Sequence, residues 1–181
     1  MSGENIGLKI KIGALLTVIY AVLAGISSQL VLIPGVTGYR LMDALPIVYG
    51  LLFGSIGAFA CGVGVLFADA FANNLSYVSF VAFLGAYGAA YIPFRVWQGM
   101  KSAREPVIIL ESARTMIMFI VLAILAAIPQ AVVIPLLTDR MGIAPYTSVF
   151  PVILLNSLFF SVVGGTLLYK IFSLRFLEGT S

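Results

Sequence analysis

The chain has 181 residues, of which 61% are hydrophobic and only 9% are charged, with a formal net charge of +3. Soluble domains carry about 25% charged residues, and a soluble fold of this size could not keep so much apolar surface away from water. The composition therefore excludes a soluble globular protein and predicts a single transmembrane domain over residues 1–181.

The rare residue types narrow the chemistry further. The chain contains no histidine and one cysteine, Cys61. An internal disulfide is therefore impossible, and a Cys/His metal site or a bound cofactor is not expected. The excess of Lys and Arg forms no polybasic or aromatic-basic patch, so we assign it to anchoring at the cytoplasmic face and expect no nucleic acid as a partner.

Apolar stretches separated by charges give the predicted elements in chain order. The first helix covers about 12–32 and ends before Pro34 and Gly35. Lys9 and Lys11 precede it, as in a signal peptide, but residues 12–39 carry no charge and are long enough to span a bilayer. We therefore interpret this segment as a retained first helix. Further apolar stretches cover about 44–68, 77–94, 112–137 and 148–169.

The stretch 44–68 can form one helix or two. It lies uncharged between Asp43 and Asp69, and the sequence Gly54-Ser55-Ile56-Gly57 in its middle is typical of a turn. Glycine is tolerated in membrane helices, so one helix and five spans remain an alternative to two helices and six spans.

The distribution of basic residues favours six spans. With both termini in the cytoplasm, eight basic residues lie inside and only Arg40 and Arg140 lie outside, whereas the best five-span model gives seven against three. We therefore predict an all-α, polytopic membrane protein: a six-helix bundle with a short second helix, about 43–54, and cytoplasmic N- and C-termini. The eight inner basic residues are Lys9, Lys11, Arg95, Lys101, Arg104, Arg114, Lys170 and Arg175.

Six spans bring the polar residues of the apolar stretches towards one outer face. Gln130 and Asn156 each lie about eight residues below an outer helix end, a depth of about 12 Å. Polar groups at such depth are costly and usually face the protein interior. We expect a substrate-binding pocket, and its candidate residues are Arg40, Asp43, Asp69, Asn73, Asn74, Gln130 and Asn156.

Structural roles compete with this pocket. Gln130 and Asn156 could hydrogen-bond between helices, and Asp43 could cap the helix that begins near Pro46. Taken together, the group favours a pocket, and the two outer aspartates hint at a solute with a donor-rich or cationic group. Enzymatic activity is not expected, because the chain has no Walker motif, no Gly-x-Ser-x-Gly motif and no histidine to act as a base.

The segment 40–59, which continues through Gly62 and Gly64 to Asp69, resembles the second and third helices of the substrate-binding S components of energy-coupling factor (ECF) vitamin transporters. In that family a short helix leads into a Gly-Pro-x-x-Gly turn. Here residues 54–57 occupy the turn without the proline. A second phrase, Gly85-x-x-Gly88-x-x-Tyr91, is similar to one in some S components.

The resemblance implies a function. Such a protein would bind a vitamin or micronutrient precursor with high affinity at the outer face of a prokaryotic plasma membrane, under the loop between helices one and two. It would work with a transmembrane coupling subunit and two ATPase subunits. Family members contact the coupling subunit through an Ala-x-x-x-Ala motif, for which Ala21-x-x-x-Gly25 is the nearest match. The alternative is a self-sufficient secondary transporter or channel for a polar solute.

Overall fold

The structure is a computed structural model that describes residues 4–33, 37–38, 40–100 and 108–178. Six α-helices dominate these ranges: α1 Glu4–Gln29, α2 Leu45–Phe71, α3 Tyr77–Met100, α4 Ala113–Arg140, α5 Tyr146–Phe159 and α6 Gly165–Glu178. Two short antiparallel strands, β1 Val31–Ile33 and β2 Thr37–Gly38, follow α1. A 3₁₀ turn, Leu41–Ala44, precedes α2, and a π-helical turn, Phe160–Gly164, joins α5 to α6.

The predicted membrane character is confirmed at the level of helix length and composition. Within the described residues, five helical segments are long and apolar enough to cross a bilayer: Ile6–Ser27, Leu41–Phe71, Tyr77–Met100, Ala113–Arg140 and Tyr146–Ser173. The protein is therefore a helical chain compatible with a multi-pass membrane protein. The sequence predicts a first helix over about 12–32, whereas α1 covers Glu4–Gln29 and the strand Val31–Ile33 follows it. Pro34 and Gly35, and the basic residues Lys101 and Arg104, lie outside the described residues.

The second apolar segment is not a straight rod. Gly54 has φ 61° and ψ −134°, a conformation far from helical that L-residues with a side chain rarely adopt. A Cβ on Gly57 would lie only 2.1 Å from the Tyr49 carbonyl oxygen, although residues eight apart in a straight helix are about 12 Å apart. The chain therefore folds back at Gly54, and α2 consists of two halves, α2a (45–53) and α2b (55–71).

Contacts with α3 show the same reversal. A Cβ on Gly50 would meet the Ala90 carbonyl oxygen, and one on Gly54 would meet the Phe94 ring, so α2a runs in the same direction as α3. A Cβ on Gly62 would meet Phe83. A later residue of α2b therefore contacts an earlier residue of α3, so these two helices run in opposite directions. Glycine is needed at Gly50 because the two backbones approach too closely for a side chain.

Glycine contacts also give the directions in which α1 and α4 pack against their neighbours. Gly13 of α1 lies against Ile56 and Tyr20 lies against Gly64, so α1 runs parallel to α2b. Gly85 lies against Val133 and Gly88 against Pro129, so α3 and α4 are antiparallel. The largest fully buried side chains between the helices include those of Tyr20, Ile47, Phe119, Ile153 and Tyr169.

The π-helical turn brings the last segment close to α2a. A Cβ on Gly164 would lie 2.9 Å from the Cβ of Ala44, and one on Gly165 would lie 2.7 Å from Ile47. These two glycines therefore allow the 3₁₀ turn and the start of α2a to approach the last helical segment closely. Single π turns inside α-helices are often found at functional sites.

Candidate functional site: a buried polar cluster

A charged pair lies inside the bundle at the start of the 3₁₀ turn. The Arg40 Nε donates to Asp43 Oδ2 at 2.8 Å, and its Nη2 donates to Asp43 Oδ1 at 3.1 Å. The side chains are only 11% and 3% exposed. This two-point geometry between a planar guanidinium and a carboxylate is the strong form of an ion pair, and it leaves the pair with no net charge.

Side chains from three other elements, α4, α5 and the π-helical turn, complete the cluster. Arg40 Nη2 also donates to Gln130 Oε1 of α4. The Ser157 hydroxyl of α5 donates to Asp43 Oδ2 at 2.5 Å, and the Ser161 hydroxyl donates to the Asp43 carbonyl oxygen at 3.0 Å. Gln130, Ser157 and Ser161 are 5%, 0% and 1% exposed. The cluster therefore joins α4 and the last helical segment to the beginning of α2a.

The local fold explains why these groups converge. Ser157 and Ser161 are four residues apart, so they lie on one face of a helix. That face meets Asp43, since the glycines of the π turn let the 3₁₀ turn approach. Burying a charge in an apolar interior is costly unless it is paired and hydrogen-bonded, and both members of this pair meet that condition.

Two polar groups beside the ion pair lack a well-formed hydrogen bond within the described part of the chain. They are the buried Tyr20 hydroxyl of α1 and the Gln130 Nε2, and their side chains lie within interaction distance of each other. Tyr20 is fully buried and lies next to Gln130, with Arg40 and Asp43 also close by. Buried polar groups are nearly always paired with protein groups or ordered water, and these two are among several exceptions in the described residues.

The structure brings three of the seven predicted site residues into direct contact: Arg40, Asp43 and Gln130. Asn156 is 9% exposed and precedes Ser157 in α5. Arg40 and Asp43 lie at the level of Gln130, although the sequence predicts a depth only for Gln130 and Asn156. The physical reason is that α2a is too short to cross the whole bundle. The 3₁₀ turn and the start of α2a therefore lie inside the bundle and not at its end.

The other three predicted residues lie elsewhere. Asp69 is half-buried near the end of α2b, and Asn73 and Asn74 are exposed in the turn before α3. The Asn74 backbone N–H donates to the Asp69 carbonyl oxygen at 2.8 Å, and Asn73 has φ 55°. Across the described residues, no hydrogen bond or ion pair connects these three side chains to the cluster around Arg40.

Three members of the cluster were not predicted from the sequence. Ser157 and Ser161 carried a usable signal, since two hydroxyls four residues apart in an apolar helix share one face. Tyr20 carried a weaker one, because a tyrosine in the middle of a long apolar helix needs a polar partner when it is buried. Without the fold, neither signal shows which residue the hydroxyl group faces.

The predicted partner-binding residues lie on a groove at the surface of the bundle. This groove, of about 820 Å³, runs between α1 and α2b, and its lining is almost entirely apolar. Ala21 and Gly25 are on its α1 wall, with Phe67 and Phe71 on the α2b wall. Gly25 is exposed and Ala21 is half-buried, so this small-residue stripe faces outwards and is not used for packing within the core.

The cluster is a set of hydrogen-bonding side chains around one ion pair. It contains a neutralised ion pair, an amide and hydroxyls. Its hydroxyls have no histidine or free carboxylate beside them to act as a base. No group of three or more His, Cys, Asp or Glu side chains that could hold a metal ion occurs in the described ranges. Comparison with family models, with curated proteins and with solved structures finds no match to this chain.

Proposed function

We propose that the chain is the membrane-embedded, high-affinity substrate-binding subunit of an ECF-type importer for a vitamin or a related micronutrient precursor. The observation that carries this proposal is the polar cluster of Arg40, Asp43 and Gln130, buried where a short half-helix begins. Ionisable groups inside membrane helices usually mark solute pathways, and interrupted helices often mark binding sites in transporters.

The proposed topology has six crossings, with both termini in the cytoplasm. The reversal at Gly54 supports it, because α2a and α2b then enter and leave at the same face. From Gly54 back to Leu41 the short segment covers about 20 Å of a bilayer core of about 30 Å. Its polar start therefore lies roughly 10 Å below the outer surface, which agrees with the depth of about 12 Å predicted for Gln130 from its place in α4.

Asp69, Asn73 and Asn74 would lie at the outer surface in this topology. Asn73 and Asn74 are exposed and Asp69 is half-buried, which suits a role at the entrance rather than in the binding site. That these three residues contact the substrate therefore remains a prediction from the sequence. Asn156, beside Ser157, belongs with the inner group.

The groove between α1 and α2b is the proposed surface for the transmembrane coupling subunit. Small residues allow helices to approach closely in lipid, and Ala21 and Gly25 supply them on an outward face. The chain has no Walker motif of its own, so two partner ATPases would provide the energy in a prokaryotic plasma membrane.

Two measurements on reconstituted protein test this proposal. The purified chain should bind a member of a vitamin and nucleobase-precursor panel on its own, and proteoliposomes should accumulate it only when coupling and ATPase subunits are added. ATP-independent uptake by the chain alone would instead establish the secondary-transporter alternative, which the interrupted helix also suits. Absence of binding at micromolar concentration across the panel would contradict the proposal.

A further inference from the structure

The charge balance of the buried cluster limits what it can bind. Among the residues whose burial the structure describes, Arg40 and Asp43 are the only buried charged ones, and they neutralise each other. A charged solute placed beside them would have no counter-ion unless this two-point pair broke. Burying an unpaired charge costs several kcal/mol. The cluster therefore disfavours both cations and anions.

This differs from what the sequence suggested. Two outer aspartates hinted at a cationic or donor-rich solute, but both Asp43 carboxylate oxygens are already occupied by Arg40 and Ser157. Asp43 Oδ1 accepts one hydrogen bond and Oδ2 accepts two, so this carboxylate has little capacity left for a donor-rich solute. Asp69, the other aspartate, lies outside the cluster.

The groups that remain open can both donate a hydrogen bond, although the Tyr20 hydroxyl can also accept one. The Gln130 Oε1 accepts from Arg40, which fixes the amide so that Nε2 carries the open N–H groups. The Tyr20 hydroxyl lies within interaction distance of Gln130, and apart from that contact it has no hydrogen-bond partner in the described part of the molecule. Two adjacent donors from different helices can converge on one acceptor oxygen or ring nitrogen.

We infer that Tyr20 and Gln130 form a subsite that recognises a hydrogen-bond acceptor, such as a carbonyl oxygen, on an uncharged solute; this inference rests on the proposed function. The Arg40–Asp43 pair orients Gln130 and forms no ion pair with the solute. Sites that present buried donors discriminate strongly against analogues that lack the matching acceptor, because the donors are then left unpaired.

The test uses the purified full chain in nanodiscs, with thermal shift and calorimetric titration of a fixed panel. The uncharged, carbonyl-bearing probes are nicotinamide, hypoxanthine and riboflavin; thiamine is the cationic probe, and nicotinate and biotin are the anionic ones. We expect binding from the uncharged group only. Tyr20→Phe should weaken that binding about tenfold, consistent with the loss of one buried hydrogen bond.

Matched variants separate a subsite from a general folding effect. Tyr49→Phe is the control, since the Tyr49 hydroxyl is also buried and unpaired within the described ranges but belongs to α2a outside the cluster. It should bind as wild type. Gln130→Met tests the second donor and should weaken binding as Tyr20→Phe does, with the fold checked by gel filtration.

The outcomes distinguish the two proposals. Tight binding of a charged probe, or wild-type affinity in Tyr20→Phe and Gln130→Met, would overturn the acceptor subsite and leave the binding function standing; an ordered water would then be the partner of these donors. Failure of every probe to bind would overturn both.

Discussion

The reversal at Gly54 makes a sharp prediction for Gly57→Ala. The added Cβ would lie 2.1 Å from the Tyr49 carbonyl oxygen, whereas real Cβ contacts are essentially never closer than 3.0 Å. The two half-helices must therefore separate by about 0.9 Å. The obstacle is backbone and cannot rotate away.

Forcing additional volume into a packed interior costs about 1–3 kcal/mol, and backbone contacts belong at the upper end. For a chain of this length each kcal/mol shifts the melting temperature by about 2–4 °C. We therefore expect Gly57→Ala to melt roughly 4–12 °C below wild type in a detergent thermal-unfolding assay. Gly7→Ala is the matched control, because its Cβ would meet no described atom within 4 Å.

Gly7→Ala should leave stability unchanged or raise it slightly, since alanine is about 0.5–1 kcal/mol better than glycine in a helix interior. If Gly57→Ala and Gly7→Ala melted at the same temperature, α2a and α2b would not pack against each other. Residues 41–71 would then form one straight helix, and a short α2a could no longer account for the depth of Arg40.

Two further predictions concern the ion pair and the topology. Asp43→Ala leaves the buried Arg40 guanidinium without its carboxylate and should destabilise the protein by about 3–5 kcal/mol. The variant should therefore lose the monodisperse gel-filtration peak. A wild-type peak would show that the pair is accessible to water. In a Cys61→Ala background, a membrane-impermeant maleimide should label Ser76→Cys in intact cells but Ser55→Cys only after permeabilisation. Protection of Ser55→Cys in both conditions would favour five spans, with this residue inside the bilayer.

Much of the architecture could be predicted from the sequence because charge is so scarce. Each helical segment lies between charged residues or turns, so the apolar stretches were identifiable. The turn around Gly54 was also indicated, since two glycines three residues apart within an uncharged stretch favour an interruption. The structure gives Gly54 the positive φ that requires this residue type.

The composition of the site was less predictable, for a geometric reason. Sequence position gives depth only for helices that cross the whole bilayer, which is why Gln130 could be placed but Arg40 could not. The 3₁₀ turn begins inside the bundle, so Arg40 reaches Gln130 directly. Ser157 and Ser161 belong to the site only because the glycines of the π turn let Asp43 approach them closely. These hydrogen bonds join residues more than one hundred positions apart in the chain.

Binding of a small solute inside the bundle underlies both proposals for this chain. Native mass spectrometry of protein purified from its expression membrane tests it most directly. We expect an adduct of one small molecule per chain, retained by wild type at submicromolar affinity, as high-affinity capture requires, and weakened in Ser157→Ala, which removes a hydrogen bond to Asp43. A spectrum with only the bare chain and lipids, together with no binding from the vitamin panel, would contradict it.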